Sequence, residues 1–143
     1  IGENIKYTKK LREYFVLLVN PKIEVSTKEI FNNIEFKDIS YKRGNINLSN
    51  LIDLECFKNR SNHLEKYAVK QFKIIGDILS YLSNIKGNVL SRMTGSGATC
   101  FALFDYIEDL EKAEYLTKNK FKDCWVKSSK LKNNIKDKTC IKY

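Results

Sequence analysis

Two short runs, Val89–Met93 and the wholly apolar Cys100–Phe104, are joined by Thr94-Gly95-Ser96-Gly97-Ala98-Thr99, and this join constrains the fold more than any other segment. Each run has the length of a strand and is too short for a buried helix. The connection must therefore reverse the chain. Glycines on both sides of Ser96 admit the positive φ values that such a reversal uses. Consecutive N–H groups exposed there make a nest for an anion, with hydroxyls of Thr94, Ser96 and Thr99 alongside. The segment is not a P-loop, because no Gly-Lys-Ser or Gly-Lys-Thr follows it. It is not a dinucleotide fingerprint either: Cys100 stands where the third glycine belongs, and a strand follows instead of a helix. On these residues alone, a glycine-rich hairpin without a ligand stays open.

The remaining elements fall around this hairpin. Tyr14 to Val19 reads as a nearly covered strand, stopped by Asn20-Pro21. Ser26 with Glu29 is a capping-box pattern, and Val25 with Ile30 supplies the hydrophobic staple, so a short helix starts near Thr27. A short helix is expected near 48–54 within a weakly patterned stretch. Leu64, Ala68, Phe72, Ile75, Ile78, Leu79 and Leu82 form one stripe at helical spacing, predicting a single long helix from about His63 to Leu82, capped by Asn62 with Glu65. Asp105 with Glu108 is expected to cap a helix reaching about Lys118. Cys124 to Ser128 is the last predicted strand. The order strand, helix, long helix, strand, strand, helix, strand predicts an α+β, two-layer, ferredoxin-like sandwich of the split β-α-β type. It occupies residues 1–128, with 129–143 a basic C-terminal tail.

At 143 residues the chain is long enough for one core without staples. Its longest uninterrupted apolar runs, Phe15–Val19 and Cys100–Phe104, span five residues, against about 20 for a membrane helix. The start has neither a basic leader nor an apolar signal segment, and Ile1 is expected to be a cut point in a longer protein. The net charge of +9 favours anionic ligands. However, 22 of the 26 cations are Lys and they are scattered, so neither a nucleic-acid partner nor a membrane is expected. Cys56, Cys100, Cys124 and Cys140 form no C-x-x-C pair and read as reduced structural thiols of a cytoplasmic chain, Cys100 and Cys124 being buried. His63 is the only histidine, which excludes a His–His metal site, and it reads as a surface residue.

The sequence from Ser91 to Phe104, SRMTGSGATCFALF, closely resembles the third conserved motif of the GHMP kinase superfamily. In particular it is similar to the branch acting on 4-diphosphocytidyl-2-C-methyl-D-erythritol in non-mevalonate isoprenoid biosynthesis. Val19 to Phe31, VNPKIEVSTKEIF, is similar to that branch's strand, Pro-Gly turn, Val-Ser-Thr and helix start. Asn62-His63-Leu64-Glu65 resembles its Asn-Asp-Leu-Glu element, and Ile1-Gly2-Glu3 its exit from the first domain. Two positions depart. Lys22 replaces the usual Gly, so a positive φ is not expected there, and His63 replaces Asp.

The resemblance implies a GHMP kinase C-terminal domain, the substrate side of a transferase that phosphorylates the 2-hydroxyl of the cytidyl substrate with ATP and Mg²⁺. It implies that Phe31 stacks on the cytosine, with Thr27 and Ser26 as polar neighbours; a plain core position is the other reading of Phe31. It places Thr94, Gly95, Ser96, Gly97, Ala98 and Thr99 near the path of the transferred phosphoryl group. The family's ATP-cradling loop, catalytic Asp and partner Lys belong to its N-terminal domain. No catalytic residue and no metal ligand is therefore assigned in this chain, which is expected to bind no cofactor alone and to have that domain as its partner. Two alternatives stay open: another GHMP kinase, such as a homoserine or mevalonate-type enzyme, and a non-enzymatic ferredoxin-like binding module.

Overall fold

A computed structural model describes residues 13–32, 58 and 61–131, except the side chains of Phe31 and Asn32. The elements are β1 (Tyr14–Asn20), α1 (Thr27–Asn32), α2 (His63–Gln71), α3 (Lys73–Ser83), β2 (Asn88–Met93), β3 (Cys100–Phe104), α4 (Ile107–Lys120) and β4 (Trp125–Leu131). The helix expected near 48–54, Cys56 and Cys140 lie outside the described residues. Among the described residues no helix is long and apolar enough to cross a membrane.

The strands form one sheet in the order β2-β3-β1-β4, every neighbouring pair antiparallel. β3 thus lies between β1 and β2, and β1 between β3 and β4. This interleaving of two split β-α-β units is the predicted α+β topology. Side-chain alternation sends Leu17 and Val19 of β1, Cys100, Ala102 and Phe104 of β3, Met93 of β2 and Val126 of β4 to one face. There they meet Ile30, Ala68, Ile75, Ile78, Leu82, Leu110 and Ala113 from the helices. Each fully buried side chain such as Leu17, Ile75 or Phe104 contributes about 1.5–3 kcal/mol of transfer free energy.

Four expectations are corrected. The single helix over 63–82 is two helices, broken at Phe72, whose backbone is extended at φ −127°, ψ 93°. Its N–H still donates to the Ala68 carbonyl at 2.8 Å, and its carbonyl accepts from Ile75 N at 3.0 Å. The buried stripe keeps its phase, so periodicity reports the buried face and not the continuity of the helix. α4 has Tyr106, not Asp105, as its N-cap, with no side-chain cap hydrogen bond. β4 continues past Ser128, pairing Ser129, Lys130 and Leu131 with Val16, Phe15 and Tyr14, so the expected boundary at 128 falls inside a strand. Lys22 does adopt a positive φ, 57°. Its N–H donates to Asn20 Oδ1 at 2.7 Å, an Asx turn that offsets the roughly 1–2 kcal/mol cost of this conformation in a non-glycine residue.

Candidate functional site

The turn between β2 and β3 is closed by two backbone bonds, Thr94 N to Thr99 O at 2.8 Å and Gly97 N to Thr94 O at 2.9 Å. Thr94 Oγ1 also donates to Thr99 O, at 3.2 Å. The N–H groups of Gly95 and Ser96, at the tip, have no hydrogen-bond partner among the described residues. The expected nest is therefore reduced to this pair of donors. Gly95 (φ 51°) and Gly97 (φ 103°) both use the freedom of glycine, but they face different surroundings. A Cβ on Gly95 would meet nothing within 4 Å, whereas one on Gly97 would lie 3.0 Å from Met93 Sδ and 3.7 Å from Ile75 Cδ1. Gly97 thus backs onto the core. Ala98 is also buried in the hydrophobic cluster.

Three side chains tie other elements to this turn. From β1, Asn20 Nδ2 donates to Thr99 Oγ1 at 2.8 Å, while its Oδ1 holds Lys22. From α1, the Thr27 hydroxyl hydrogen-bonds the Ser96 hydroxyl at 3.0 Å. Two segments singled out separately in the sequence, 69 positions apart, therefore meet at one place. Ser26 Oγ accepts from Glu29 N at 3.3 Å, so it is engaged in capping, and Glu29 Oε2 reaches Gln71 Nε2 on α2 at 3.3 Å. Phe31 lies within α1, but its side chain is outside the described residues.

The third tie comes from α2. Asn62 Oδ1 accepts from Leu64 N at 3.0 Å, confirming the N-cap. Its Nδ2 donates to Met93 O at 3.0 Å and Gly95 O at 2.7 Å. Glu65 Oε2 accepts from Met93 N at 2.8 Å, reaching across to the sheet as well as standing in the cap pattern. In the sequence Asn62 and Glu65 stand as a helix cap and as part of the Asn-His-Leu-Glu element, and Asn20 as part of a strand stop; their hydrogen bonds to the turn are not marked there. One signal was available: asparagine at a cap carries an NH₂ group that capping leaves unused. His63, beside Asn62, is exposed.

Burial pushes the Cys100 thiol up to about 12, aided by the Glu65 carboxylate and Cys124. Cys124, half-buried, is also raised, chiefly by burial. Neither thiol is poised as a nucleophile. Among the described residues no group of three or more His, Cys, Asp or Glu side chains fits a metal ion. A groove of about 530 Å³ lies away from the turn, lined by Asp77, Ser80, Tyr81, Asn84, Lys120 and Phe121.

The family model for the C-terminal part of GHMP kinases matches residues 42–122. A 4-diphosphocytidyl-2-C-methyl-D-erythritol kinase of Rhodopseudomonas palustris (strain BisB5) is 32% identical over 142 residues, covering 92% of this chain and 48% of that protein. The enzyme of the same name from Anaplasma marginale (strain Florida) is 32% identical over 133 residues, covering 92% and 46%. A crystal structure of 4-(cytidine 5'-diphospho)-2C-methyl-D-erythritol kinase superposes with a TM-score of 0.65 at 17% identity, over 89% of this chain and 46% of that one. A homoserine kinase structure from Cytophaga hutchinsonii gives 0.59 at 17% identity, over 84% and 42%. The chain spans about half the length of the curated relatives it matches.

Proposed function

Because the chain belongs to the GHMP kinases, as their C-terminal domain, we propose that it is the substrate-side domain of a cytoplasmic kinase. That enzyme transfers a phosphoryl group from ATP to the 2-hydroxyl of 4-diphosphocytidyl-2-C-methyl-D-erythritol, a step of isoprenoid biosynthesis. The observation that carries this reading is the 3.0 Å hydrogen bond between Thr27 and Ser96. It joins the Val25-Ser26-Thr27 segment, on the nucleobase side, to the glycine turn, on the phosphoryl side. On this reading Phe31 stacks on the cytosine beside Thr27, while Ser26 serves mainly to start α1. The N–H groups of Gly95 and Ser96 face the charge that develops during transfer. Phosphoryl transfer is governed by positioning and by such pre-aimed donors. The phosphate-cradling loop, the proton acceptor and its Lys partner are supplied by the N-terminal domain.

Homoserine is the competing substrate, since the fold is shared with a homoserine kinase. ADP release by the complete protein, with ATP and Mg²⁺, separates the two. Turnover with the cytidyl substrate and none with homoserine or mevalonate is expected. Turnover with homoserine alone would reject the assignment.

A further inference from the structure

Asn62 is the one side chain described here that serves a helix terminus and the glycine turn at once. Its amide orientation is not arbitrary. The Leu64 N–H requires an acceptor, and the carbonyls of Met93 and Gly95 require donors, so the oxygen and the NH₂ group can each occupy only one place. Both amide hydrogens and the oxygen are engaged, at 2.7–3.0 Å. Glu65, less than one helical turn later, takes the N–H of Met93, the residue whose carbonyl Asn62 holds. The peptide groups on both sides of Met93 are thus gripped from the start of α2. Met93 is also the residue whose sulfur backs Gly97. A shift of α2 along its axis would therefore move the turn together with the Gly95 and Ser96 N–H groups.

We infer that Asn62 and Glu65 are positioning residues for phosphoryl transfer, a clamp that sets the glycine turn against the reacting group. This rests on the kinase reading above. The clamp acts through the turn and touches no substrate, so its loss falls on kcat more than on KM. Misplacing a reacting geometry by about 1 Å is enough to cost roughly a hundredfold in rate.

The two halves of Asn62 can be separated. Asn62→Asp keeps an oxygen for Leu64 N and adds a negative charge at a helix N-terminus, where it is favourable. It has no donor for Met93 O or Gly95 O and turns a carboxylate towards them. In the complete protein this variant is expected to stay folded but to melt several °C below the parent, since the kept cap does not offset the cost of leaving Met93 O and Gly95 O without a donor. Its kcat is expected to fall roughly tenfold to a hundredfold, with KM for both substrates changed less than about threefold. Glu65→Gln keeps an acceptor for Met93 N and should retain kcat within about threefold, whereas Glu65→Ala should lose it. Asn62→Ser, which caps but is too short to bridge both carbonyls, should repeat the Asn62→Asp result and serves if that variant does not fold.

Hydrogen exchange supplies a readout independent of activity. The Thr94 and Gly97 amides, which close the turn, should exchange about tenfold faster in Asn62→Asp, while amides in α3 are unchanged. A folded Asn62→Asp or Asn62→Ser protein with parental kcat and parental exchange at Thr94 and Gly97 would overturn the clamp. An inactive parent protein would instead reject the substrate assignment, and the exchange result would still decide whether the turn is held.

Discussion

Replacing Gly97 by Ala should damage the protein far more than replacing Gly95 by Ala, although the two stand symmetrically about Ser96. At Gly97 two costs add. A φ of 103° is strained for any L residue, by about 1–3 kcal/mol. The new methyl would also sit 3.0 Å from Met93 Sδ, with Ile75 Cδ1 behind it, in a packed region where overfilling costs about 1–3 kcal/mol. The Met93 side chain is flexible, but it is buried in the core cluster, which limits how far its sulfur can yield. The expected loss is therefore about 2–6 kcal/mol. At Gly95 the φ of 51° lies in the left-handed helical region and the space around it is open, so Ala there costs about 1–2 kcal/mol and Asn less. Urea unfolding of both variants measures the difference through the midpoint at constant m-value. Equal midpoints for Gly97→Ala and Gly95→Ala would refute the reasoning, because they would mean that Gly97 does not back onto the core.

Phe31→Ala in the complete protein should raise KM for the cytidyl substrate roughly 5- to 150-fold, the equivalent of about 1–3 kcal/mol of stacking, while the protein stays folded; an unchanged KM would return Phe31 to the core. Cys100, with its thiol near 12, should resist iodoacetamide at about pH 8 in the native state and react after denaturation; native modification at the rate of an exposed thiol would contradict its burial. The Glu114 carboxyl is held below its ordinary value by Lys118, then by Ser128. A depressed carboxyl stabilises above its unfolded-state pKa and ceases to do so as pH falls through the folded value. The midpoint difference between the parent and Glu114→Gln should therefore shrink from about pH 7 to about pH 3, and a difference independent of pH would refute the assignment.

The strands were legible because β-branched and apolar residues alternate or run continuously between clear stops such as Asn20-Pro21 and Thr94-Gly95. The order of helices and strands then left few ways to close a two-layer sandwich. What was not legible is tertiary. Phe72 interrupts a helix without proline or glycine and without breaking the stripe, so no local signal marks it. Lys22 takes a positive φ because a side chain two residues earlier holds its N–H. Asp105 and Glu108 have the spacing of a cap, yet β3 ends at Phe104 as expected and the helix begins one residue later than the pattern implies, at Ile107, so Tyr106 takes the cap position. In the site, the composition of the glycine turn marked it at once, as did the cap at Ser26. The roles of Asn62 and Glu65 depend on partners 28 to 33 positions away, which only the fold brings near.

The proposed function requires α1 and the glycine turn to form a single site, and a double-mutant cycle across the Thr27–Ser96 bond tests that most directly. kcat/KM for the cytidyl substrate would be measured for the complete protein, Thr27→Val, Ser96→Ala and the double variant. Each single change removes one partner of the 3.0 Å hydrogen bond, so the two losses should not add, and a coupling of about 0.5–3 kcal/mol is expected. Strictly additive losses, or single variants with parental kcat/KM, would contradict the claim that these two segments act together on one substrate.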